Sequence, residues 1–156
     1  MLDASDTRRN FIFFFGTALG ITVPALPLAA AEPSLAGRWK TIDDKTRQAR
    51  GIMRLYEEGG AIFGKIEESF DPKDATDVCD KCTDDRKNKP IIGLLILKNM
   101  RRQTPTEYGG GEILDPDTGS IYRCKITVGD GGKKLTVRGF VGISMLGRSQ
   151  VWLRDE

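Results

Sequence analysis

In the segment SIYRCKITV, residues 120–128, Tyr122, Cys124, Ile126 and Val128 fall on one side of an extended chain, with Arg123, Lys125 and Thr127 on the other. That period of two describes a half-buried β-strand and excludes an amphipathic helix, whose apolar positions recur every three to four residues. The period returns along the chain. KKLTVRGF sets Leu135 and Val137 against Thr136 and Arg138, and AIFGKIEES sets Ile62 and Ile66 against Phe63 and Lys65. GRWKTI, ARGIMRLY, PIIGLLIL, EYGGGEIL and RSQVWLR complete eight candidate strands. IIGLLILKNM comes nearest to a helical stripe, but its β-branched residues and Gly93 favour a buried strand.

The links between these segments carry turn chemistry. EEGG at 57–60 and GDGG at 129–132 supply glycines for positive φ, and DPDTG at 115–119 places Pro116 where a turn starts. Eight short strands with tight turns predict an all-β antiparallel meander. Closing it into an eight-stranded barrel removes the exposed edges. The long connection, residues 70–89, is polar and holds Cys79 and Cys82, so it reads as a flap over one end.

The start of the chain differs in character. Arg8 and Arg9 precede an uncharged apolar run at 11–23, followed by Pro24, Pro27 and an A-x-A exit at Ala29 and Ala31. This is the pattern of a secretory signal peptide, and the run is too short for a membrane span of about 20 apolar residues. The expected organisation is a signal peptide at 1–31 and a β-barrel domain at 32–156, in the periplasm or secreted. No stable membrane span is expected after cleavage. The formal net charge is only +2, with the basic residues scattered, so no nucleic acid partner is expected.

Export also shapes the reading of the cysteines. Histidine is absent, which excludes Ser–His–Asp chemistry and leaves Cys79, Cys82 and Cys124 short of a zinc set. A redox pair wants a helix N-terminus to lower a thiol pKa, but Cys79 and Cys82 sit among Asp77, Asp80, Asp84 and Asp85, which oppose a thiolate. A staple remains. A four-residue ring contributes about 2 kcal/mol, and a link to Cys124 about 4 kcal/mol. Cys124, however, shares the apolar face of its strand and reads as a small buried hydrophobe. The expectation is a Cys79–Cys82 disulfide and a free Cys124, with no metal, no cofactor and no catalytic residue.

The first and last strands carry Trp39, and Arg148, Trp152 and Arg154, respectively. These strands pair in a closed barrel, so an arginine from one can stack over a tryptophan of the other, as a plug at the barrel bottom or as a ligand contact. Arg123, Lys125 and Arg138 share the outer side of two neighbouring strands and read as a solvated face.

The ordered series GRWKTIDD, IFGKIEES, VCDKC with KPIIGLLIL, GGGEILDPDTGSIYRCKI and KLTVRGFVGISMLGRSQVW resembles a family of small exported bacterial proteins catalogued only as a domain of unknown function. The likeness runs from about Ala36 to Trp152 and implies a lipocalin-like antiparallel barrel behind a signal peptide. Lipocalins themselves share the G-x-W seen at Gly37 and Trp39 and a late arginine, here Arg148 or Arg154. The chain is shorter than a lipocalin and shows no obvious C-terminal helix. Together these readings predict a non-catalytic barrel that takes a small apolar ligand or an envelope protein partner. The candidate pocket residues are Trp39, Ile62, Ile66, Tyr122, Ile126, Leu135, Val137 and Arg148. The competing readings are a thiol–disulfide redox factor using Cys79 and Cys82, a purely structural envelope protein, and a packed interior with no cavity.

Overall fold

The computed structural model describes residues 34–143 and 145–156. The expected signal peptide lies outside the described residues. Eight strands follow in chain order: β1 Gly37–Ile42, β2 Ala49–Glu58, β3 Ala61–Ser69, β4 Leu95–Thr104, β5 Glu107–Asp115, β6 Ser120–Gly129, β7 Lys134–Phe140 and β8 Gly147–Asp155. Each pairs antiparallel with the next, and β8 pairs with β1, so the sheet closes into a barrel without a free edge. Among the described residues no helix is long and apolar enough to cross a membrane.

The alternation read from the sequence sets the interior. Cys124, Ile126 and Val128 on β6 are buried, and so are Leu135 and Val137 on β7, while Arg123 and Thr127 are exposed. Inward side chains from all eight strands form one core, in which Trp39, Leu55, Leu97, Met100, Ile126 and Leu135 are fully buried.

β4 departs from the expected PIIGLLIL. The strand starts at Leu95 and runs on to Thr104, and Pro90–Leu94 belongs to the connection. Pro90 has no N–H to give a ladder, and Gly93 sits at φ 88°, where the extended chain breaks. Further on, Asn99 at φ 58° inserts an irregularity between the fully buried Leu97 and Met100. That bulge gives a three-residue spacing of core positions, which is why the stretch mimics a helical stripe.

The two barrel ends differ. At one end Trp39 is fully buried and its Nε1–H donates to the Leu35 carbonyl at 2.8 Å. Arg154, from the neighbouring β8, stacks over the Trp39 ring at 4.2 Å from its centroid. Its Nη1 and Nη2 donate to the carbonyls of Ala36 at 2.8 Å and Ser34 at 2.6 Å. The segment before β1 is thus drawn across that end and shuts it. Of the two candidate late arginines, Arg154 makes this plug, and Arg148 stands at the opposite end.

Candidate functional site: a cup at the open end of the barrel

At the end opposite the plug the interior is not filled. A cavity of about 330 Å³ opens there, framed by the β1–β2, β3–β4, β5–β6 and β7–β8 connections. Its walls are apolar, from Met53, Ile66, Ile96, Ile113 and Val137. Trp152 forms part of the floor. It pairs with Thr41, two residues along β1 from Trp39 towards the mouth, and is almost completely buried. Polar groups gather at the rim: Arg50, Asp74, Asp117, Arg148 and Gln150.

The rim charges are largely matched. Arg50 Nη2 meets Asp117 at 3.3 Å, and Arg50 Nη1 lies 3.9 Å from Asp43. Backbone N–H groups of Thr46 and Lys45 donate to Asp43 and hold its carboxyl below the usual range, with Arg50 adding to this. Arg148 Nε donates to Asp44 at 2.7 Å; this bond lowers the Asp44 pKa and raises that of Arg148. The pair ties the start of β8 to the neighbouring β1–β2 loop at the mouth. An apolar well under a polar rim is the arrangement that orients an amphipathic guest with its polar end outward.

One side of the mouth is built by the long connection after Ser69. It enters through a short 3-10 turn, Pro72–Ala75, capped by Asp71, and returns to β4 through Gly93. Ile91 and Asp74 from this segment line the cavity. Three devices hold it in place. The first is the Cys79–Cys82 disulfide, with a Cα–Cα distance of 5.4 Å. Around it the segment folds back on itself, Cys79 N donating to Lys89 O and Asn88 N to Cys79 O, both at 2.9 Å.

The second device is close packing on the β5–β6 turn. Gly119 sits at φ +71°, and a Cβ there would lie 2.0 Å from the Lys81 carbonyl oxygen, so only glycine fits. Lys81 Nζ in turn donates to Asp117 O at 2.7 Å. The third is Arg86, the one charged residue among the buried side chains of the described residues. Its guanidinium donates to both Asp84 oxygens, to the Leu95 carbonyl at 3.2 Å and to Glu112 at 3.1 Å. The charge-assisted bonds from Arg86 hold Asp84 down at about 2.

The sulfur chemistry follows from burial. Cys79 and Cys82 are 0% and 1% exposed, so an attacking thiolate has no path to either sulfur. Burial pushes the Cys124 thiol up to about 12, which makes it a poor nucleophile. Among the described residues no group of three His, Cys, Asp or Glu side chains is placed to hold a metal ion.

The structure distributes the sequence-read pocket residues over three places. Ile66, Tyr122, Val137 and Arg148 line the cavity. Trp39, Ile126 and Leu135 lie in the packed core outside its lining, and Ile62 is in the core beside a surface hollow formed with Leu35 and Tyr108. Met53, Ile113 and Trp152 are wall or floor residues that the same alternation on β2, β5 and β8 could have supplied. Asp117 and Ile91 carry no such signal, because a turn and an irregular segment bring them to the mouth, and Arg50, exposed near the start of β2, reads as an ordinary solvated strand residue.

Comparison with known proteins agrees with this architecture. The pattern of a family described as "Uncharacterized protein conserved in bacteria (DUF2147)" matches residues 37–154. The chain belongs to this family. Among solved structures it is similar to protein HP1028 from the human pathogen Helicobacter pylori, which belongs to the lipocalin family. The two share 15% identity with a TM-score of 0.68, over 79% of this chain and 84% of that one. At that identity the likeness establishes the lipocalin-like fold alone. No match was found among curated proteins.

Proposed function

We propose that this barrel is a non-catalytic carrier that takes one small, elongated apolar or amphipathic molecule into the open-end cup. The observation that carries the reading is the cavity itself: about 330 Å³, walled by Met53, Ile66, Ile113 and Val137 and rimmed by Arg50, Asp117 and Arg148. Its size falls at the lower end of the range of about 300–1,000 Å³ for small-ligand pockets. Each methylene buried there contributes about 0.8 kcal/mol before the costs of association, so a chain of some eight carbons supplies about 6 kcal/mol.

We also propose that the chain works outside the cytoplasm, in the periplasm or beyond. The basic start, the apolar run and the A-x-A exit support export, and the Cys79–Cys82 disulfide supports an oxidising compartment.

The test is uptake of a medium-chain fatty probe whose fluorescence rises in an apolar site. Ile66→Trp projects a larger side chain into the void, so it should abolish uptake while leaving the unfolding midpoint unchanged or raised. Equal uptake by Ile66→Trp, or none by the unaltered protein, refutes the carrier reading.

A further inference from the structure

The β7–β8 connection, described at residues 141–143 and 145–146, stands beside the cup and is the most apolar exposed surface among the described residues. Val141, Ile143, Met145 and Leu146 are 67%, 62%, 82% and 70% exposed. Isolated apolar residues on a surface need no explanation, but four on one short loop form a contiguous patch, and such patches mark sites of contact. Val141 and Leu146 also line the cup, whereas Ile143 and Met145 do not.

Two guanidiniums brace this loop from below. Arg123 Nη1 donates to the Gly142 carbonyl at 3.3 Å, and Arg138 Nη2 donates to the Met145 carbonyl at 2.9 Å. Arg123 also lies over the Phe140 ring at 5.6 Å. The register places Lys125 opposite Arg138, so Arg123, Lys125 and Arg138 share one outer face. Lys125 is matched by Glu107 at 2.7 Å, farther from the tip. The acidic rim groups Asp43, Asp44 and Asp117 belong to the β1–β2 and β5–β6 connections and are engaged by Arg50 and Arg148; Asp44, held by Arg148 two residues past Leu146, is the one that comes up to this loop. An apolar tip over a belt of arginines is complementary to one kind of surface: hydrocarbon beneath a layer of anionic headgroups.

We infer that the β7–β8 loop docks the barrel on an anionic lipid bilayer, with Val141, Ile143, Met145 and Leu146 entering the interface and Arg123 and Arg138 meeting the headgroups. The barrel then approaches tilted onto its β6–β8 side. This docking stands apart from the carrier reading: the loop can bind lipid whether or not the cup holds a guest.

Residues 11–23 are apolar, so total binding of the full chain to vesicles does not report on the loop. A probe in the loop does. In the full chain, Met145→Trp is compared with Glu58→Trp, which sits at the opposite, plugged end of β2. Vesicles contain phosphatidylglycerol and phosphatidylcholine in equal parts, with brominated acyl chains as quencher. The expected result is strong quenching of the indole at position 145 and little at position 58. Each basic residue near such a surface contributes about fivefold in affinity, so adding Arg123→Gln and Arg138→Gln should weaken the quenching titration about 25-fold. Replacing phosphatidylglycerol by phosphatidylcholine throughout should act in the same direction.

The inference is overturned by equal quenching at the two positions, by no quenching at position 145, or by indifference to the anionic lipid. A monomer–dimer equilibrium abolished by Ile143→Asp with Met145→Asp, without lipid insertion, would instead assign the loop to a second copy of the chain. The fatty-probe assay without vesicles, run on the same Asp variant, separates the two proposals, because neither residue lines the cup.

Discussion

Replacing Arg86 by methionine keeps most of the aliphatic stem and removes the guanidinium that ties Asp84, Glu112 and the Leu95 carbonyl together. The loss can be bounded from its parts. A buried carbonyl left without a donor costs about 1–3 kcal/mol. Breaking a fully buried ion pair costs about 3–5 kcal/mol, but Asp84 and Glu112 are 32% and 38% exposed and recover water, so that figure is an upper limit. The expected destabilisation is about 2–3 kcal/mol. With a urea slope of about 1.5 kcal/mol/M for a domain of this size, the midpoint should fall by about 1.3–2 M at unchanged slope. Acid provides a second readout. The Asp84 pKa is lowered from 3.8 to about 2, so the bond contributes fully above the unfolded value and is lost as pH falls through the folded one. The gap between the unaltered protein and Arg86→Met should therefore be wide at neutral pH and narrow towards pH 2. A loss under about 0.5 kcal/mol, or a gap that does not narrow in acid, refutes the assignment of Arg86 as the anchor of the mouth segment.

Gly119→Ala combines a positive φ with a clash on the Lys81 carbonyl, so it should cost at least about 1–2 kcal/mol. Amide exchange should then speed up over residues 79–89 more than in the strands; a uniform change would contradict local undocking. Arg154→Ala removes the stacking on Trp39 and the bonds to Ser34 and Ala36, and should lower stability by about 2–4 kcal/mol with a red shift of tryptophan emission. Unshifted emission would show that the plug closes without it. Cys124, with its thiol pushed up to about 12, should resist iodoacetamide at mildly alkaline pH until denaturant is added. Rapid alkylation of the native protein would show that the thiol is accessible.

What the sequence made legible is what repeats. Period-two alternation on β2, β3, β6, β7 and β8 is a direct image of a sheet with one face to a core, and the turn glycines mark where the chain reverses. The close-spaced cysteines could be read as a staple, because the aspartates around them disfavour the alternatives. β4 was legible only in part: Gly93 and Asn99 adopt backbone conformations that shift the strand and break its period, and residue type alone does not announce either. Arg86 was hidden for another reason. Nothing local distinguishes it from Lys87 or Lys89, and only the fold brings Leu95 and Glu112 to meet it. The rim pairs Arg50–Asp117 and Arg148–Asp44 are likewise products of closure, joining residues far apart in the chain.

On β1, β2 and β7 the inward side chains grow larger from the mouth towards the plug, which contributes to the hollow at one end. An eight-stranded barrel encloses a space that side chains can just fill, so small inward residues leave a void and large ones close it. Going from the mouth inward, β7 presents Gly139, Val137 and Leu135, and β2 presents Gly51, Met53 and Leu55. β1 presents Thr41 and then Trp39. Gly51, Gly139 and Thr41 line the cavity, whereas Leu55, Leu135 and Trp39 are fully buried in the core. On β3, β5 and β6 the order is reversed, with Ile66, Ile113 and Tyr122 at the cavity and Gly64, Gly111 and Cys124 deeper, so the hollow rests on β1, β2 and β7. An interior selected only for stability would gain from filling the mouth, since each buried methylene adds about 0.8 kcal/mol. The hollow therefore costs stability that a larger side chain would restore, and Gly139→Ala should raise the unfolding midpoint if the added methyl enters the cavity without strain.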